Sequence, residues 1–335
     1  MNRHHAWLFL SGAVAALLFS SLAAAADPAP LELLQTITLK GKAGKLDHLG
    51  LDAKRERLFL ANKINNTLDV VDLKTGKLLQ QVANQSGVQG IAFAPELDRL
   101  FVALGTGGFC NVFNGEDYKL QKTIKFADDA DNARYNPKTN LVYVAHAEKA
   151  LGVIDARTLE LKTDIKLPGG AEGIELETGR PRLYLNVPPS LVVVIDTDKN
   201  EVVNKYSLKL AAQNNPLALD EPNHRLFLGC KKSPMVVVMD TESGKEIASV
   251  PIPGDIDDLV FDAKRKRLYA LCGEGAIAVI RQVDADHYEA LAKVPTDKGA
   301  RTGYFDANTG KLYLGVPRAP ESKEGPFIKV YQAKP

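Results

Sequence analysis

The sequence is poor in several features that would point directly to a function. Its 335 residues contain three cysteines, Cys110, Cys230 and Cys272, too few for the dense disulfide framework of a small secreted domain. Its one tryptophan, Trp7, lies in the N-terminal segment. Basic and acidic residues nearly balance, 42 against 41. Sequence-independent nucleic-acid binding needs a basic face, so a nucleic-acid partner is not expected.

Motifs of common enzyme classes are also missing. The sequence has no Gly-x-Ser-x-Gly elbow, no His-Glu-x-x-His, no Walker glycine loop and no Cys-x-x-Cys. A segment beginning at Asp196 resembles the start of a calcium loop, but Glu201 stands where that loop requires glycine. We therefore assign no catalytic residue from the sequence.

The first 26 residues have the composition of a secretory signal peptide. Arg3 supplies a positive charge, residues 6–22 form an apolar run, and small residues precede Asp27. Such a run is short for a stable membrane helix and is followed by a cleavable segment. We expect a periplasmic or secreted protein with no membrane span after cleavage and a single domain over residues 27–335. Cleavage would leave 41 basic against 41 acidic residues.

One short β-type motif occurs seven times along the chain. It first appears at residues 57–61 as Arg-Leu-Phe-Leu-Ala, and its aromatic residues recur at intervals of 42, 42, 41, 43, 42 and 44 residues. These aromatic residues are Phe59, Phe101, Tyr143, Tyr184, Phe227, Tyr269 and Tyr313. A period near forty, built from short strands, is typical of propeller blades. The sequence predicts an all-β fold, a seven-bladed β-propeller of four-stranded antiparallel blades.

The two ends of the repeat pattern predict how the ring closes. The first repeat has predicted strands at residues 46–52, 57–62, 67–72 and 77–82, separated by polar and glycine turns. The seventh repeat ends with a third strand at 327–332 and has no outer strand. Residues 34–39 have the length and alternation to fill that place. Closing the last blade with the N-terminal strand removes an exposed sheet edge.

The third strands and their turns resemble those of a known family. Val-Val-Asp-Leu-Lys-Thr-Gly-Lys at 70–77, Val-Ile-Asp-Thr at 194–197 and a similar segment at 238–245 follow strands of the Arg-Leu-aromatic type. The pattern is similar to that of YVTN-repeat β-propellers, which include the YncE-like periplasmic proteins, although Arg281 and Tyr331 replace the aspartate in the last two repeats. The resemblance covers the mature chain and implies an exported seven-bladed binding platform. DNA binding, found in some relatives, is not expected of this neutral chain.

A ring of polar residues is predicted near the starts of the inner strands. Twelve residues before each aromatic stand Asp47, Gln89, Asp131, Glu172, Asn215, Asp257 and Arg301. The next positions are His48, Gly90, Asn132, Gly173, Pro216, Asp258 and Thr302. Strand entries beside water are polar in any case. If the ring converges on the channel mouth, it forms a negative concavity suited to a cation or a hydroxyl-rich ligand.

We predict that this ring, together with one histidine, binds the ligand. The predicted residues are Asp47, His48, Gln89, Asp131, Asn132, His146, Glu172, Asn215, Asp257, Asp258 and Arg301. Hairpin counting places Asp131 opposite His146, an acid–base pair if a ligand is present and a surface ion pair otherwise.

The same counting gives three further expectations. It places Asn215 opposite Cys230 and Asp257 opposite Cys272. Arg134 and Glu175, at one level of consecutive inner strands, are expected to form an ion pair that stabilises the ring.

Two functional interpretations follow. In the first, the protein is a monomeric, non-enzymatic propeller that binds a small molecule or a protein partner at one channel rim and needs no cofactor. The long connection at 317–326 contributes to that rim. In the alternative, Glu172, Asn215 and Asp257 hold a divalent cation for a lactonase-like hydrolase or a lyase. The alternative rests on analogy between folds.

Overall fold

The computed structural model describes Met1 and residues 29–146 and 149–335. Apart from Met1, the predicted signal peptide lies outside the described residues. The strands form seven four-stranded antiparallel sheets, which are the blades of a propeller ring. Within the described ranges, no helix has the length and apolar character needed to cross a bilayer.

The strands follow the sequence repeat. The first three blades and the N-terminal strand contain β1 (Leu31–Thr38), β2 (Leu49–Asp52), β3 (Arg57–Asn62), β4 (Thr67–Asp72), β5 (Lys77–Val82), β6 (Val88–Ala94), β7 (Arg99–Leu104), β8 (Phe109–Asn114), β9 (Leu120–Lys125), β10 (Ala133–Asn136), β11 (Leu141–His146), β12 (Ala150–Asp155) and β13 (Glu160–Lys166). Blades 4 and 5 contain β14 (Ile174–Leu176), β15 (Arg182–Val187), β16 (Leu191–Asp196), β17 (Glu201–Ser207), β18 (Ala212–Asp220), β19 (Arg225–Lys232), β20 (Met235–Asp240) and β21 (Glu246–Pro251). Blades 6 and 7 contain β22 (Ile256–Asp262), β23 (Arg267–Cys272), β24 (Ala276–Gln282), β25 (Tyr288–Pro295), β26 (Thr302–Asp306), β27 (Lys311–Val316) and β28 (Phe327–Ala333).

The repeated motif forms the second strand of each blade. In β3, Leu58, Phe59 and Leu60 are all fully buried. Consecutive residues of a strand point to opposite faces, and both faces are covered here because every blade packs between two neighbours. The outer strands are mostly exposed, as in β5 and β9. The core therefore lies between the blades.

The prediction for ring closure is confirmed. β1 pairs with β28 from Leu31 opposite Ala333 to Thr38 opposite Phe327, and it completes blade 7. The observed strand begins three residues before the predicted 34–39. The innermost strand of blade 1 is shorter than predicted, Leu49–Asp52, and the connection after β3 contains a 3-10 turn at Lys63–Asn65.

The aspartate that ends most third strands closes the turn that follows. The Asp72 carboxylate accepts hydrogen bonds from the backbone N–H groups of Lys74 (2.8 Å) and Thr75 (3.0 Å). Asn114, Asp155, Asp196 and Asp240 do the same in the next four blades. We call this end of the ring, formed by the turns within the inner and outer hairpins, the lower rim. The family motif is therefore a turn motif.

Two of the predicted cross-strand pairs are wrong by one residue. Cys230 lies opposite Asn214 and Cys272 opposite Ile256, because β18 and β22 each contain an irregularity in register near their start. A bulge inserts one residue on a single strand and so shifts all pairing beyond it. The three cysteines are buried and free.

Candidate functional site

A cavity of about 540 Å³ runs along the axis of the ring. Inner-strand residues of all seven blades line it. We call its polar end the mouth; the mouth is formed by the loops that enter the inner strands. The residues there that line the cavity are His48, Asn132, Gly173, Asn215, Pro216, Asp257 and Asp258. Pro95, Glu96 and Pro137, in turns of the lower rim, line the other end.

The two predicted columns do not contribute equally. Five members of the second column line the axial cavity: His48, Asn132, Gly173, Pro216 and Asp258. From the first column only Asn215 and Asp257 line it, in blades 5 and 6. Asp131 and Glu172 line a second cavity beside the mouth. Asp47, Gln89 and Arg301 support the mouth through ion pairs and hydrogen bonds and line neither cavity.

His48 is the centre of a polar network across the mouth. Its Nδ1 lies 3.4 Å from the Asp258 carboxylate, and its Nε2 lies 3.1 Å from the Asn132 amide nitrogen. Asp258 also accepts a hydrogen bond from the backbone N–H of Gly303 at 2.8 Å. Burial opposes a charge on His48, but Asp258 and the more distant Asp47 outweigh it and raise the pKa of the imidazole to about 9. His48 thus links blades 1, 3 and 6.

A lysine that the sequence analysis missed organises blades 1 and 2. Lys63 Nζ lies 3.3 Å from Asp47 and also donates to the side-chain amide oxygen of Gln89. Gln89 in turn donates to Asp129 at 3.1 Å. Lys231, at the equivalent repeat position near the end of β19 in blade 5, pairs with Asp257 at 2.7 Å. The sequence repeat could have identified both lysines, because each stands four residues after the repeat aromatic.

In blades 4 to 7, Glu172, Asp255 and Asp257 have direct side-chain partners. Asn215 Nδ2 donates to Glu172 at 3.1 Å. Arg301 binds Asp257 through Nε at 2.9 Å and Asp255 through Nη1 at 2.5 Å. Among the residues that the structure describes, no group of three histidine, cysteine or carboxylate side chains is arranged to hold a metal. A divalent cation at Glu172, Asn215 and Asp257 stays a prediction, and it would compete with Lys231 and Arg301 for Asp257.

His146 does not form the expected pair with Asp131. Its Nε2 contacts Asp164 on the outer strand at 2.8 Å, and its ring stacks on Phe126 with centroids 4.4 Å apart. Asp131 has no such partner among the residues that the structure describes. Burial, reinforced by the nearby negative charges of Asp47 and Glu172, raises its pKa to about 7. Asp131, His146 and Glu172 line the second cavity, of about 370 Å³, between blades 3 and 4.

The expected ion pair between Arg134 and Glu175 is also absent, since no contact within 4 Å joins the two side chains in the described structure. Both line the axial cavity below the mouth. Burial raises the pKa of Glu175 to about 7, although the Arg134 charge opposes this shift.

The fold and the mouth define a class of protein: a seven-bladed β-propeller with one blade-specific polar opening. No family model matches the chain. Its homologues are YncE-like proteins. The chain is 25% identical over 299 residues to the "Uncharacterized protein YncE" of Salmonella typhimurium, covering 87% of the chain and 73% of that protein. It is 26% identical over 235 residues to Escherichia coli K12 YncE, covering 68% and 56%. The chain is thus a β-propeller of the YncE-like kind.

Solved structures support the same fold at lower identity. A chain of Kuenenia stuttgartiensis hydrazine synthase superposes with a TM-score of 0.74 at 17% identity, covering 87% of this chain and 96% of that one. The structure of U3-55K superposes with a TM-score of 0.76 at 10% identity, covering 90% and 98%. At these identities the likeness concerns the fold alone.

Proposed function

We propose that this protein is a non-enzymatic binding platform that takes a small ligand or a protein partner at its mouth. The observation that supports this most is the convergence of polar groups from the blades on the entrance to one axial cavity of about 540 Å³. Small-molecule sites typically enclose about 300–1,000 Å³ and combine apolar walls with a few placed polar groups. The cavity has both features.

A ligand at the mouth meets groups of both signs. Asp258 and Asp257 supply carboxylates, His48 supplies an imidazole held near two carboxylates, and Lys231 borders the same side. A ligand with hydroxyl or charged groups can replace some of these contacts without leaving a buried charge unpaired. The platform binds such ligands in preference to fully apolar ones.

The test is ligand binding by the double variant Glu172→Ala/Asp257→Ala. A panel of sugars, amino acids, carboxylic acids and polyamines is screened by thermal shift, and positive compounds are measured by calorimetry. We expect saturable binding that falls at least tenfold in the double variant, a loss of about 1.4 kcal/mol. The control, Glu160→Ala/Glu201→Ala, removes two exposed carboxylates at the starts of outer strands. Equal loss in the control, or unaltered binding in the mouth variant, would contradict the proposal.

We also propose export to the periplasm or beyond, with a monomeric mature chain. Support comes from residues 1–26 in the sequence, with their positive charge, apolar run and small residues before Asp27. Expression in a bacterial host, followed by mass measurement of the periplasmic fraction, tests the cleavage. A full-length chain found only in the cytoplasm would contradict export.

A further inference from the structure

Below the mouth, one level of the axial cavity has a composition unlike that of the others. Its seven residues lie opposite the repeat aromatics in the sheet register. They are Gly50, Ala92, Arg134, Glu175, Ala218, Val260 and Tyr304, and all except Ala218 line the cavity. Four of the seven are small or aliphatic. The other three are a guanidinium, a carboxylate and a phenol.

The polar groups at this level keep unused hydrogen-bonding capacity. Arg134 donates only through Nη1, to Asn132 at 3.2 Å and to the backbone carbonyl of Ala133 at 3.0 Å. Its Nε and Nη2 groups donate to no described residue. The Glu175 carboxylate and the Tyr304 hydroxyl likewise have no hydrogen-bond partner in the part of the chain described. The structure therefore places the guanidinium donors of Arg134 and the carboxylate acceptor of Glu175 at one level without a hydrogen bond between them.

Without a direct pair to Arg134, burial favours the protonated form of Glu175, and a cation bound beside it would favour the ionised form. Charges removed from bulk water are stabilised by a partner or by solvent, and a direct pair is the usual solution within a cavity. Arg134 and Glu175 lie at one level on neighbouring inner strands, so their backbone positions are compatible with a direct ion pair. Gly50 and Ala92, on the other side of Arg134, leave space in the cavity there.

We propose that this level binds an α-amino acid with an apolar side chain, a proposal that rests on the binding function proposed for the mouth. The ligand's carboxylate takes the free edge of the Arg134 guanidinium and the Tyr304 hydroxyl. Its ammonium takes the Glu175 carboxylate. An α-amino acid presents both charges on adjacent atoms, which suits two side chains at one level of consecutive blades.

The apolar walls of the cavity favour an apolar side chain on the ligand. Above and below the polar level, the cavity is lined by apolar side chains that include Leu49, Ile91, Leu217, Leu259 and Phe305. An apolar ligand side chain gains about 25 cal/mol for each Å² that these walls remove from water. A strongly polar side chain would lose its hydration without a partner there. Leucine is thus a suitable probe.

Calorimetry with three related probes tests the assignment on the full chain. The probes are L-leucine, 4-methylpentanoate, which lacks the ammonium, and 3-methylbutylamine, which lacks the carboxylate. Wild type is expected to bind leucine at least tenfold more tightly than either analogue. Arg134→Met should abolish the preference for leucine over the amine, and Glu175→Gln the preference over the carboxylate. Arg281→Met, at an exposed arginine paired with Glu289, is the matched control and should keep both preferences.

The pH dependence gives a second readout for Glu175. The ammonium favours the ionised carboxylate, so leucine affinity should rise with pH through about 7 and lose that dependence in Glu175→Gln. Leucine bound no better than its analogues would overturn the proposal. If other compounds then bind in a manner that needs Glu172 and Asp257, the mouth's proposed function stands; if nothing binds, both fall. Circular dichroism of each variant checks that the ring is folded.

Discussion

The two rims of the ring use polar residues in opposite ways. At the lower rim, the same residue type does the same task in blade after blade: Asp155 and Asp240 each accept two backbone N–H bonds, and these bonds lower their carboxyl pKa against the effect of burial. At the mouth and in the cavity beneath it, Asp131 and Glu175 accept no such bonds from the described residues, and burial raises their pKa to about 7. Repeated, locally satisfied polar residues stabilise the ring, whereas poorly satisfied ones lie at the site that we propose.

In blade 6 a different aspartate makes the turn contacts of the lower rim. Arg281 stands where other blades have the turn aspartate, yet Asp284, three residues later, accepts the N–H groups of Asp286 and His287 at 2.8 and 2.9 Å. The lower-rim task is preserved although the motif is displaced. At the mouth the groups vary more between blades: the first-column positions hold aspartate, glutamine, glutamate, asparagine and arginine.

The largest loss of stability is expected at Gly173, a mouth residue that packs closely against the next blade. A Cβ added at Gly173 would lie 2.4 Å from the backbone oxygen of Asn215 in the next blade. Because backbone cannot move aside as a side chain can, Gly173→Ala should destabilise the protein by about 2–3 kcal/mol. Chemical denaturation measures this loss. The control is Gly315→Ala, whose nearest atom would be the flexible end of Leu46 at 3.3 Å. Equal stability of the two variants would contradict the close approach.

A smaller loss of stability is expected when a lower-rim carboxylate is removed. Asp240 accepts the N–H groups of Glu242 and Ser243 and pairs with Arg225 at 2.7 Å, so Asp240→Ala should lose about 1–2 kcal/mol of unfolding free energy. Ligand binding at the mouth should not change. Asp198→Ala, at an exposed position in the equivalent turn of blade 4, serves as the control. A binding defect without a stability loss in Asp240→Ala would erase the distinction between the rims.

The pH dependence of stability should have opposite signs at Asp131, near the mouth, and at Asp155, at the lower rim. The folded-state pKa of Asp131 lies at about 7, above its ordinary value of 3.8, so wild-type stability falls as pH rises between these values. Asp131→Asn escapes that loss, so it should be more stable than wild type at pH 8, with little difference at pH 4. Asp155, whose pKa is lowered, should behave in the reverse way, so Asp155→Asn should be less stable than wild type at pH 8. Denaturation curves at both pH values decide the signs.

The sequence predicted the parts of the molecule that repeat. Seven copies of a buried second strand set the number of blades, and the missing outer strand of the last repeat identified its replacement in β1. The mouth was located as a region, since His48, Asn132, Asn215, Asp257 and Asp258 line the axial cavity.

The contacts within the mouth could not be predicted from the repeat. Bulges in β18 and β22 shifted the pairing of Cys230 and Cys272 by one residue, and a single-residue shift reverses the face on which a side chain lies. His146 contacts Asp164, a residue on the outer strand that hairpin counting never considers. Arg134 and Glu175 have matching positions but remain apart, because a backbone level does not determine where long side chains end.

The pairing of β1 with β28 makes the two ends of the described chain neighbours. Leu31 lies opposite Ala333, and the backbone N–H of Lys334 donates to the carbonyl of Pro30 at 2.9 Å. Bringing together segments roughly 300 residues apart costs an unfolded chain about 5 kcal/mol of loop-closure entropy, since this term grows only with the logarithm of length. Once the ends meet, a short linker between them and a break in another surface loop would give a circular permutant with the same strand order around the ring. In such a permutant, another blade would be the one completed by strands from both ends of the chain.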